Sequence, residues 1–182
     1  MEGLFYIWGI ILLVVMYPYI RCFRKRWKCF RKVKRFCKKQ KYKLHATHKF
    51  WFLGRKCDKA CDFYIETDKD VYAVKLFSML HRTSMLIFRE DGTYLIRRFM
   101  GVLWIRFFWN SKLIPLVGYD FRHRFKDEWR LKTPHNILLI NPISMDIFRQ
   151  YINGYEDAVG VGDELYGMKI FSLSRFLEYA DR

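Results

Sequence analysis

The sequence predicts an α+β chain with a helical N-terminal part and a strand-rich remainder. Three observations carry that expectation. An uncharged apolar run occupies Gly3–Ile20. A basic segment with helical periodicity follows it over residues 21–44. From residue 45 onward the pattern changes to short aromatic and β-branched runs punctuated by turn residues.

The first run, GLFYIWGIILLVVMYPYI, has 18 residues and no charge. As a helix it would span roughly 27 Å, close to the hydrocarbon thickness of a bilayer. Trp8, Tyr17 and Tyr19 lie toward its ends, where amphipathic aromatics favour the interface. The Met-Glu-Gly start lacks the basic opening of a signal peptide, and no small-residue cleavage site follows. The expectation is one transmembrane helix over residues 3–20. Only Glu2 and the amino terminus precede it, whereas residues 21–43 hold 13 Lys or Arg and no acid. The positive-inside rule then places the N terminus outside and everything after the helix in the cytoplasm.

The segment after the run reads RCFRKRWKCFRKVKRFCKKQKYK. Phe23, Trp27, Phe30, Val33 and Cys37 recur at spacings of 4, 3, 3 and 4, which is one face of a helix. A basic helix with an aromatic stripe suits an anionic leaflet. The expected contacts with anionic lipid headgroups are Arg21, Phe23, Arg24, Lys25, Arg26, Trp27, Lys28, Phe30, Arg31, Lys32, Lys34 and Arg35. Each cation held near the surface contributes about 1 kcal/mol. The same mixture of cations and aromatics also grips single-stranded nucleic acid, but a neighbouring span favours the membrane. In a third reading, the stripe packs on the domain that follows and the charges only set topology.

The net charge of +16 belongs almost entirely to this region. Residues 1–57 hold 16 Lys or Arg against one acid, and residues 58–182 hold 18 against 17. The remainder is therefore nearly neutral, which argues against a broad nucleic-acid face there.

Residues 45–182 read as one domain. Cys61–Thr67 and Val71–Phe77 form a hairpin around Asp68-Lys69-Asp70. Ser84–Arg89 and Thr93–Met100 form another around Asp91-Gly92, and Val102–Trp109 extends it. Residues 110–135 are irregular. His135–Asn141 is a continuous apolar run, expected as a buried strand. Ile143–Ile152 fits a short helix capped by Ser144. After the Gly160–Asp163 loop, Leu165–Phe171 reads as a strand, and Ser172 or Ser174 caps a last helix ending at Tyr179. The expected order is a β-meander, then strand, helix, strand, helix.

Five cysteines, an odd number, in a reducing compartment predict no disulfide. His45, His48, Cys57 and Cys61 have residue types that bind zinc, but their spacing matches no common structural site, so no metal is expected. The hairpin CDFYIETDKDVYAVK, within residues 57–77, resembles the core of the restriction-endonuclease-like nuclease family, PD-(D/E)xK. That resemblance implies an Asp at Asp62 and an acid-x-Lys tripeptide ending at Lys75, set around magnesium, with the lysine positioning or polarising the attacking water. Here the tripeptide reads Ala73-Val74-Lys75, and alanine supplies no metal ligand. Glu66 would have to substitute from the other strand.

The function expected from these features is a single-pass membrane-anchored protein. It would present a non-catalytic α+β interaction or regulatory domain at the cytoplasmic face, without a cofactor. The alternative is a membrane-tethered, magnesium-dependent nuclease using Asp62, Glu66 and Lys75, or a degenerate nuclease-like domain that binds nucleic acid.

Overall fold

Helix α1 (Glu2–Gln40) carries both the apolar run and the basic segment without interruption. Its 39 residues reach about 58 Å. Leu, Lys and Arg, which lose little side-chain freedom in a helix, are frequent in it. It ends where Lys41 turns left-handed (φ 61°) and the Tyr42 N–H donates to the Cys37 carbonyl at 2.9 Å. That is the usual way of closing a helix terminus, with lysine standing where glycine is common. The structure is a computed structural model and describes residues 2–46, 61–78, 84–90, 94–100, 103–107, 132–141, 143 and 146–181.

Among the described residues eleven strands follow: β1 (Lys43–Ala46), β2 (Phe63–Glu66), β3 (Asp70–Ser78), β4 (Ser84–Arg89), β5 (Tyr94–Met100), β6 (Leu103–Phe107), β7 (Thr133–Asn141), β8 (Ile147–Gln150), β9 (Glu156–Ala158), β10 (Glu164–Leu165) and β11 (Met168–Ser172). Helix α2 (Leu173–Tyr179) closes the chain. One sheet has the order β1-β2-β3-β7-β11-β10, and the second has β6-β5-β4-β8-β9. In the first, β3, β7 and β11 are parallel neighbours, while β1, β2 and β10 pair antiparallel.

Side-chain alternation sorts the first sheet into two faces. Phe63, Ile65, Tyr72, Val74, Leu76, Ile137, Leu139 and Phe171 face the helices, packing on Cys29, Val33 and Cys37 of α1 and on Phe176 of α2. Tyr64, Val71, Ala73, Leu138, Ile140, Met168 and Ile170 face the second sheet, meeting Leu86 and Phe88 of β4 and Ile147 of β8. The architecture is therefore three layers: helices, a six-stranded sheet and a five-stranded sheet. The α+β class stands.

Both expected hairpins are present, as β2–β3 and β4–β5. The run His135–Asn141 lies in β7, with Ile137, Leu138, Leu139 and Ile140 buried on both faces. Ser172 caps α2 by accepting from the Arg175 N–H. Two expectations need correction. The predicted helix over Ile143–Ile152 is instead strand β8, which pairs parallel with β4 and antiparallel with β9. Its apolar spacing suits a helix, but two open strand edges supply backbone partners that outweigh a local preference over so short a segment. The predicted single strand Leu165–Phe171 is a tight hairpin, because Tyr166 (φ 54°) and Gly167 (φ 73°) are both left-handed and Leu165 pairs with Met168.

Among the described residues, no helix is long and apolar enough to cross a membrane. Most side chains of the Gly3–Ile20 run fall outside the described residues. Those described stand open: Tyr6 is 75%, Trp8 63%, Ile10 62% and Leu12 63% exposed.

Candidate functional site

The seat of the site is made by the far half of α1. From residue 26 onward its inward face is Arg26, Cys29, Val33 and Cys37, at spacings of 3, 4 and 4. At about 100° per residue this face is turned from the stripe expected in the sequence, so Trp27 is exposed while Cys29 is buried. Phe30 packs edge-on against Phe63, with ring centroids 5.6 Å apart. Arg26 and Phe30, both expected at the membrane surface, therefore point into the domain.

Arg26 reaches the mouth of the β2–β3 hairpin. Its Nη1 donates to the Leu76 carbonyl at 3.0 Å, and its Nη2 lies 3.2 Å from Asp62 Oδ1. Lys75 Nζ lies 3.8 Å from the same oxygen. The second carboxylate oxygen, Oδ2, accepts from the Leu76 N–H at 2.7 Å. Asp62 is 2% exposed. The hairpin register explains why it meets Lys75. Phe63 pairs with Val74, and beyond that last pair the Asp62 N–H also donates to the Val74 carbonyl at 2.8 Å, which holds Asp62 at the end of the hairpin beside Lys75. A carboxylate that has lost its water is here held by two cations and a backbone donor.

Glu66 belongs to a different cluster. It lies four residues along β2, or about 13 Å from Asp62. Lys132 Nζ is 2.9 Å from its Oε1, Lys43 Nζ 3.9 Å from the same oxygen, and His45 Nε2 3.1 Å from Oε2. A third pairing sits on the helix face, where His135 Nε2 is 3.1 Å from Asp70 Oδ1 and its ring stacks on Tyr72 at 5.1 Å. The structure thus joins Asp62 to Lys75 and separates Glu66 from both. Ala73 is 2% exposed and packs between the two sheets. Arg26, absent from the sequence-stated catalytic set, completes the Asp62 cluster. Its one sequence signal is the 3-4-4 spacing it shares with Cys29, Val33 and Cys37.

Among the described residues, no group of three or more His, Cys, Asp or Glu side chains could hold a metal ion. Of the zinc-like set, His48 and Cys57 lie outside the described residues, Cys61 is buried in the inter-sheet core, and His45 is turned to Glu66. The residues around Asp62 do not fit magnesium either, since guanidinium, ammonium and amide groups occupy both of its oxygens. A separate open cleft of about 580 Å³ is lined by Glu90, Arg149, Tyr151, Glu164, Tyr166 and Gly167. Its mixture of charges selects no ligand class.

Burial pushes the Cys29 thiol up from its ordinary value to about 12, against the opposing pull of Arg26 and Lys32. Burial likewise pushes Cys37 up to about 11. Both thiols therefore stay protonated in the folded chain where the unfolded chain ionises, near pH 9. The resulting stabilisation is complete below pH 9 and declines as pH rises toward 11. The expected result is no maleimide labelling of Cys29 or Cys37 in the native protein at pH 8, with full labelling in urea, read by peptide mass mapping. Labelling at native rates of a free thiol would show that α1 is not seated on the sheet.

Comparison with protein-family models, curated proteins and solved structures finds no match to this chain.

Proposed function

We propose that this is a single-pass membrane protein whose N-terminal helix holds a non-catalytic α+β interaction or regulatory domain at the cytoplasmic face. One observation carries the reading: α1 changes character at residue 21 while remaining one helix. Before that point the exposed side chains are apolar or aromatic, including Tyr6, Trp8, Ile10, Leu12, Met16 and Ile20. They cover about 200° of the helix circumference, too wide for a helix lying flat in an interface. Such a surface in water is a liability that a lipid environment removes. After residue 21 the exposed side chains are mostly cations, and the far half of the helix is seated on the sheet. Arg21, Arg24 and Lys25 stand within one Debye length, about 8 Å, of Ile20 along the axis. With Phe23 and Trp27 they are suited to anionic headgroups.

The test is alkaline carbonate extraction of membranes from cells expressing the full chain, together with protease protection. The chain should stay in the pellet with its C-terminal part accessible from the cytoplasmic side. Deleting residues 2–20 should release it to the supernatant. Release of the intact chain by carbonate would refute the anchor, and protection of the C-terminal part would refute the orientation.

A second reading rests on the 3.8 Å approach of Lys75 to Asp62. It makes the domain a degenerate relative of the restriction-endonuclease-like fold. Ala73, the distance to Glu66 and the Arg26 contact weigh against retained metal chemistry.

A further inference from the structure

Between Lys28 and Lys39 the exposed positions of α1 are Lys28, Arg31, Lys32, Lys34, Arg35, Lys38 and Lys39. Every other residue in that stretch is buried or half-buried. The outer face is therefore wholly cationic over about 17 Å of axis. None of the seven forms an ion pair with a carboxylate among the described residues. Many are neighbours at i,i+3 or i,i+4, where like charges repel and weaken the helix. The domain's buried carboxylates, Asp62 and Glu66, are directed to other cations.

We propose that this ridge binds the phosphate backbone of a nucleic-acid duplex without reading its sequence. Spacing and composition select the partner. Cations three and four residues apart lie about 5–6 Å from one another. A duplex carries one negative charge per about 1.7 Å of axis with both strands counted, so a stretch as long as the ridge holds roughly ten phosphates, a part of which face it. A single strand is the less favoured ligand, because stacking successive bases needs several open rings and Trp27, at the near end of the ridge, is the one exposed aromatic of α1 after residue 21. A protein partner would need apolar anchors, and the ridge offers none. The bilayer is excluded by distance. The ridge starts about 12 Å and ends about 28 Å beyond Ile20 along the axis; beyond a headgroup layer of about 5–7 Å, its part from Arg31 to Lys39 lies more than one Debye length from the surface. Only that last exclusion rests on the anchor reading.

The experiment uses the full chain in a neutral detergent, so it does not depend on insertion into a bilayer. Binding of a fluorescent 20-base-pair duplex is followed by anisotropy across a salt series. The expected logarithmic slope against salt is about −4 or steeper, and Arg31→Ala, Arg35→Ala and Lys38→Ala together should reduce its magnitude by roughly 2–3. Alanine keeps the helix, which circular dichroism checks. Arg175→Ala, an exposed cation elsewhere paired with Glu178, should change nothing. No binding at 50 mM salt, or a slope unmoved by the triple variant, would overturn the proposal. Equal affinity for polyglutamate would reassign the ridge to acidic protein. Duplex binding abolished by anionic lipid, in the full chain reconstituted into bilayers, would reassign it to the membrane. Duplex binding by a chain that carbonate extracts would leave the ridge standing and remove the anchor.

Discussion

Asp62→Ala is expected to destabilise the folded chain by about 3–5 kcal/mol, because it strands two cations at a desolvated site. For a chain of this size that lowers the melting temperature by roughly 6–20 °C. Arg26 and Lys75 are each only 15% exposed at the side chain, so water cannot replace the lost carboxylate. The Leu76 N–H also loses its acceptor. The effect should be seen in urea denaturation of the full chain in detergent. A double-mutant cycle with Arg26→Ala locates it, since contacting buried charges couple by about 0.5–3 kcal/mol. A loss below about 1 kcal/mol is the behaviour of a surface pair, and would mean that Asp62 is not what ties α1 to the sheet.

This cluster shows where sequence reading stopped. The nearness of Asp62 to Lys75 follows from the hairpin, and both strands announce themselves by β-branched and aromatic runs around a polar turn. The same signals expose β4, β5 and β7, and Ser172 marks the start of α2. Arg26 was hidden by 36 residues of separation and by the weight given to large aromatics. Phe23 and Trp27 turn the expected face toward themselves, whereas the seated face keeps Val33 and Cys37 of that stripe and adds Cys29. Small side chains let a helix approach a sheet closely, and their modest hydrophobicity makes them weak signals. Strand β8 was hidden for another reason. Its identity depends on the edges of β4 and β9, which no local window contains. The division into two sheets was equally out of reach, because a meander reads the same whether its strands continue one sheet or begin another.

Ala73→Glu restores the acid-x-Lys pattern and so separates the two readings of the hairpin. Ala73 lies in register between Tyr64 and Asn136, and its methyl group packs in the inter-sheet core with Val71, Leu138 and Phe88. A carboxylate there is buried among apolar groups, and the added length overfills a packed layer. Lys75, two residues along on the same face, is already directed to Asp62. The expected result is a loss of about 3–5 kcal/mol from the uncompensated charge, with a further 1–3 kcal/mol or so from overpacking. Losses of that size approach the whole stability of an ordinary domain, about 5–15 kcal/mol. The variant should therefore unfold at low urea, or fail to accumulate, and should show no magnesium-dependent cleavage of duplex DNA. A folded Ala73→Glu protein that magnesium stabilises further would point the other way. If it also cut DNA, and lost that activity on Lys75→Ala, the hairpin would be a nuclease site missing one ligand. Asp62 would then exchange Arg26 for the metal, and the thermal shift with magnesium would vanish in Asp62→Ala. The wild-type arrangement argues for the first outcome, because its contacts at Asp62 are complete without an ion and position 73 serves the core.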